Sequence, residues 1–90
     1  MKMLDIAEVL NERQKTHGDF KDVADIGACL KGVMRTSKNW REERLHSSVM
    51  EGLDMIQHKI ARILSGNPCE ADHWRDIAGY AECVLRVLKG

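Results

Sequence analysis

Between Val49 and Leu88 the apolar residues recur every three or four positions on both sides of a break at Ser65-Gly66-Asn67-Pro68. That spacing constrains the fold more than any other feature of the chain, because a period near 3.6 puts one stripe of a helix against a core. The first helix is expected from about 49, behind Ser48 and Glu51 at capping-box spacing, to Leu64. Gly66 then supplies a C-terminal stop and Pro68 lies just beyond it. The second is expected over about 73 to 88, with Asp72 as its N-cap. A loop this short folds the pair into an antiparallel hairpin. Its core-facing residues are read as Val49, Leu53, Ile56, Ile60, Ile63 and Leu64 on the first helix. On the second they are Trp74, Ile77, Ala78, Ala81, Val84, Leu85 and Leu88.

Upstream, residues 3 to 15 form an amphipathic pattern with Leu4, Ala7 and Leu10 on one side, ending at Thr16-His17-Gly18-Asp19. Gly18 is a natural stop and Asp19 a cap for a helix of about 20 to 36, whose arc holds Val23, Ile26, Leu30, Val33 and Met34. Residues 37 to 46 break the period, and Trp40 and Leu45 are expected to hold this connection against the bundle. Strand-like alternation and repeats are absent. The fold class is all-α: a compact bundle of about four helices ending in the hairpin, with residues 1–90 as a single helical domain.

Composition narrows the function. Apolar residues at 43% exclude disorder, and fourteen basic against fourteen acidic residues leave no excess charge for long nucleic acid or a membrane surface. Cys29, Cys69 and Cys83 form no CxxC, which fits reduced thiols and a cytoplasmic location. A core of this size is marginal alone, so a homo-oligomer is expected.

Opposite the apolar stripes run ionisable ones: Glu51, Asp54, His58 and Arg62 on the first hairpin helix, and Asp72, Asp76, Gly79 and Cys83 on the second. One reading is a solvated face with ordinary four-apart ion pairs. The other is a second buried layer. Gly27, Gly32, Gly52 and Gly79 all fall inside helices, where each costs about 1 kcal/mol against alanine, and close approach of a partner or ligand would account for them. Met50, Met55, Tyr80 and Val87 also border the polar stripes. In the buried reading Glu51, Asp54, Asp72 and Asp76 are candidate ligands for Mg²⁺, which favours carboxylates together with phosphate oxygens. Lys59 and Arg62 are candidate phosphate ligands. His58 is the histidine best placed for acid–base catalysis, whereas His46 and His73 read as surface residues at helix starts. The segment containing His17 and Phe20 reads either as a helix stop and start or as a loop over a ligand. In the latter case Phe20, or Tyr80 on the hairpin, offers a stacking surface.

The segments His17-Gly18-Asp19-Phe20, His58-Lys59-Ile60-Ala61-Arg62-Ile63-Leu64 and Asp72-His73-Trp74-Arg75-Asp76-Ile77-Ala78-Gly79-Tyr80-Ala81 resemble a family of small phage and prophage proteins without an assigned activity. More distantly, the chain resembles the MazG-like all-α nucleoside triphosphate pyrophosphohydrolases. That resemblance implies oligomers of paired helices, Mg²⁺ held by acidic residues and a nucleotide ligand. Glu51 and Asp54 match its ExxD spacing, Asp72 and Asp76 stand four apart, and no EExxE occurs. Two functions follow as expectations. One is a Mg²⁺-dependent nucleotide-binding or pyrophosphohydrolase-like protein. The other is a non-catalytic helical protein that binds a host protein, or one that sequesters a small ligand.

Overall fold

The structure, a computed structural model, describes residues 3–90, with side chains from residue 5 onward. Among the described residues five helices follow one another: α1 (Met3–His17), α2 (Phe20–Arg35), α3 (Lys38–Arg41), α4 (Ser47–Ser65) and α5 (Ala71–Lys89). The described residues contain no strand, and the protein is all-α. None of the described helices is long and apolar enough to cross a membrane. The expected role of Leu4 on the apolar side of α1 falls outside the described side chains.

Helix ends follow local chemistry, with two shifts from the expected caps. Gly18, at φ +86°, ends α1 in the left-handed region that glycine enters freely. Asp19 occupies the N-cap of α2, but its carboxylate accepts from Gln14 (3.5 Å) and not from the helix. At α4 the cap is His46, whose Nδ1 accepts from the Ser48 N–H (3.1 Å), so the helix begins before the expected Ser48–Glu51 box. At α5 the cap is Glu70, accepting from the Asp72 N–H, which moves Asp72 into the first turn. The connection after α2 carries the short α3, capped by Ser37. The Arg35 guanidinium lies 4.5 Å from the centre of the Trp40 ring, a cation–π contact that holds this turn down.

Helix α4 is the centre of the molecule. On one flank Gln57 faces Gly27 of α2, and Asp54 pairs with Arg35. On the other flank Gly52 lies against Val84 of α5, and Lys59 pairs with Asp76. Among the described residues α2 and α5 do not touch one another, so α2, α4 and α5 form a layer one helix thick. Among the described residues α1 packs along α2 and α4, and its last turn also meets His73 of α5.

This arrangement corrects the expected core. The hairpin seam is built from Gly52, buried Lys59, buried His73 and half-buried Ile77 and Val84. The stripes expected to face inward are largely exposed: Leu53, Ile60 and Leu64 on α4, and Trp74, Leu85 and Leu88 on α5. The buried apolar side chains of the described residues are Val23 and Ala61. The physical reason lies in the seam. A Cβ at Gly52 would collide with Val84 Cγ2, so glycine there lets α5 close on that flank. The Lys59–Asp76 pair (2.9 Å) then fixes the rotation of both helices. A Cβ at Gly27 would make only an ordinary contact with Gln57, and Gly32 and Gly79 face open space within a single chain.

Candidate functional site: a cationic groove between α1, α2 and α4

The site is organised by a backbone contact between two loops. The Thr16 carbonyl accepts from the Asn67 N–H (3.1 Å), and His73 Nε2 lies 3.1 Å from the same oxygen. A carbonyl only accepts, so that nitrogen carries the proton. His73 is 2% exposed, which corrects its reading as a surface residue. Its ring meets that of His17 edge to face, with centroids 5.0 Å apart. His17 Nδ1 is 2.9 Å from Thr16 Oγ1. Gly18 and Gly66 bring the two backbones together: a Cβ on Gly18 would lie 2.6 Å from Ser65 Cβ, and one on Gly66 would collide with the Thr16 carbonyl oxygen. The end of α1 is thus pinned to the α4–α5 turn.

Once pinned, α1 closes a groove of about 350 Å³ with α2 and α4. Leu10, Arg13, Gln14 and His17 line it from α1, spaced three, one and three residues apart on one helical face. Helix α2 contributes Phe20 and Val23, Gly18 lies at the turn, and α4 contributes His58 and Arg62, four apart. Phe20 stands at the rim, 81% exposed.

The electrostatics are one-sided. Every salt bridge among the described residues lies elsewhere, and neither Arg13 nor Arg62 pairs with a carboxylate. Burial and the neighbouring Arg13 charge push the Arg62 guanidinium below its usual range, though a guanidinium stays protonated. Burial lowers the pKa of His17, reinforced by Arg62, Arg13 and His73. His58 is lowered by burial as well, then by Arg62, Lys59, Lys31 and His17. The groove therefore joins two unpaired cations, two imidazoles that are neutral near pH 7, and an apolar wall of Leu10, Phe20 and Val23. Chemically it is suited to an anion carrying a flat or apolar portion.

Of the residues singled out in the sequence, His17, Phe20, His58 and Arg62 meet in this groove. Lys59 does not: it points into the α4–α5 seam and is held by Asp76. Tyr80 lines a separate recess of about 320 Å³ with Glu51, Gly52, Met55, Cys83 and Val84 among others. The acidic set is divided. Asp54 makes a bidentate pair with Arg35 (2.8 and 3.1 Å), Asp72 pairs with Arg75, and Asp76 with Lys59. Glu70, Asp72 and Asp76 do border one recess, with Thr16, His17 and His73, but Glu51 and Asp54 do not line it. Among the described residues no group of three or more His, Cys, Asp or Glu is placed to hold a metal ion. The four carboxylates expected to bind Mg²⁺ therefore do not fit a common ion within one chain. Arg13 and Gln14 were not read from the sequence, although their spacing from Leu10 and His17 marks a single face of α1.

Fold and groove together define a small all-α protein with a cationic, partly apolar groove. The chain belongs to the family described as Domain of unknown function (DUF6378), which matches residues 2–88. No curated protein and no solved structure matches it.

Two consequences are measurable. Because His17 and His58 have folded-state pKa values below the ordinary 6.5, the unfolded chain takes up protons that the folded chain refuses. Stability is expected to be highest above pH 6.5. It should fall as the pH drops through that value, levelling only below the lowered folded pKa values. Urea unfolding across this range checks the slope, and replacing both histidines by glutamine should flatten it. Asp76 behaves oppositely. Its hydrogen bond from Lys59 holds the carboxyl below the usual range, so its contribution is full above the ordinary value and lost as the pH falls through the lowered one. Asp76→Asn removes it at neutral pH and leaves buried Lys59 unpaired, so a lower Tm is expected in thermal melts.

Proposed function

We propose that this protein binds a small phosphorylated ligand of the nucleotide class in the α1–α2–α4 groove. The observation that carries the reading is the pair of guanidiniums, Arg13 and Arg62, lining one groove without a carboxylate partner. Arg62 is half-buried and unpaired, which is costly, and a bound anion compensates it; Arg13 stands exposed at the same groove and adds a second donor. The phosphate would lie between the two arginines, with His17 and His58 taking up protons as negative charge arrives. Phe20, Leu10 and Val23 would take the base or another flat group. The distant resemblance to MazG-like proteins supports a nucleotide over other phosphorylated compounds.

Binding without turnover is the form of the reading that the residues favour. Hydrolysis by a Mg²⁺-dependent route needs carboxylates beside the phosphates. Asp54, Asp72 and Asp76 are each held by a cation of their own, and Glu51 borders the Tyr80 recess. His58 is a proton acceptor in the groove, but no carboxylate among the described residues orients it.

Isothermal titration with pyrophosphate, a nucleoside di- or triphosphate and the parent nucleoside, with and without Mg²⁺, tests this. The phosphorylated compounds are expected to bind without Mg²⁺ and to be recovered intact, and the nucleoside to bind far more weakly. Equal binding of nucleoside and nucleotide, or none by either, overturns the reading.

A further inference from the structure

We infer that the open face of the α2–α4–α5 layer is covered by a second copy of this chain, forming a two-layer homodimer with the ligand grooves on its outer sides. Successive helical residues turn by about 100°. On α4 the positions facing α5 (Gly52, Lys59) and those facing α2 (Asp54, Gln57) fall on opposite flanks. Leu53, Ile60 and Leu64 lie in the arc between them, and His58 and Arg62, which line the groove, lie in the opposite arc. On α5 the seam is His73, Ile77 and Val84. A quarter-turn away, at steps of four, three, four and three, stand Trp74, Ala78, Ala81, Leu85 and Leu88, all exposed. Applying the same rotation to α2 brings Ile26 and Val33 to that side of the layer.

A layer one helix thick, apolar along one side, does not complete a domain, since helices bury their stripes against a second layer. The areas agree. The chain exposes 6574 Å², whereas a folded monomer of 10.2 kDa exposes roughly 5,300 Å². The surplus, about 1,300 Å², exceeds the about 800 Å² that each partner contributes to a standard stable interface. The Cα radius of gyration, 15.4 Å, also exceeds the about 12 Å of a compact chain of this length. The occupant is set by chemistry. The two stripes of α4 and α5 carry no charge to select a different partner, and two copies of an uncharged, heptad-spaced face are mutually complementary about a two-fold axis. The inference does not depend on the ligand proposed for the groove, which opens on the other side.

Sedimentation and light scattering of the full chain are expected to give twice 10.2 kDa at micromolar concentration, and Leu85→Lys or Ile60→Lys to reduce it to the single-chain mass. In Trp40→Phe, which leaves Trp74 as the reporter and the face intact, emission should be that of a buried indole and shift to the red on dilution. A single-chain mass at all concentrations overturns the inference. So does a dimer in which Trp74 remains solvent-exposed or Leu85→Lys changes nothing. Nucleotide titration of the same variants keeps a failed dimer distinct from a failed groove.

Discussion

Gly66→Ala is expected to destabilise the protein by about 3 kcal/mol, because added volume here meets backbone and not a movable side chain. The new Cβ would collide with the Thr16 carbonyl oxygen and lie 2.6 Å from the Gly18 nitrogen and 2.7 Å from the His17 carbonyl carbon. Thr16 cannot retreat without giving up the bonds it accepts from Asn67 and His73. Those bonds set the position of the end of α1, so the damage extends to the groove. In a domain of this length the loss corresponds to a fall in Tm of roughly 15 °C. Gly32→Ala is the matched control. Nothing lies within 4 Å of its added Cβ, and it is expected to raise stability by about 0.5 to 1 kcal/mol through helix propensity. Urea denaturation of both variants measures the contrast, and similar effects at the two glycines would show that the loop–loop contact does not hold α1.

The second large effect concerns binding. Arg62→Gln is expected to weaken pyrophosphate binding by roughly 10- to 100-fold, the worth of a hydrogen bond to a charged group. Fold stability should change little, because Arg62 forms no ion pair and its charge already sits unfavourably near Arg13. Arg13→Gln should act in the same direction, and raised salt should weaken the wild type more than either variant. Arg75→Gln provides the comparison: this arginine is exposed, paired with Asp72 and outside the groove. Equal losses at Arg62 and Arg75 would identify a diffuse charge effect instead of a site.

The helices were legible in the sequence because punctuation and period agree: Gly18 and Gly66 end α1 and α4 as their spacing predicts. The caps of α4 and α5 were not, since His46 and Glu70 serve through side-chain acceptors that sequence preferences rank below serine and aspartate. Periodicity marks an apolar stripe on each hairpin helix but does not say what the stripe packs against, and much of it is exposed instead of facing the seam. The seam went instead to Gly52, Lys59, His73 and Val84. The acidic set failed as a cluster for a similar reason: Asp54 shares a helical face with Glu51, yet its partner is Arg35, nineteen residues away on α2. Within the groove, His17, Phe20, His58 and Arg62 were identified by residue type. Arg13 was missed because the face of α1 gains meaning only when the Thr16–Asn67 contact brings it opposite Arg62.

The most direct measurement of the central claim is side-chain NMR of the histidines at pH 7.5 during titration with pyrophosphate. The groove reading predicts that His17 and His58 move toward the imidazolium form as the anion offsets the burial and the neighbouring positive charge that lower them. His46, capping α4 away from the groove, should stay unchanged, and Arg62→Gln should move the response to correspondingly higher pyrophosphate concentration. No movement of His17 and His58 at saturating pyrophosphate, or equal movement at His46, contradicts it.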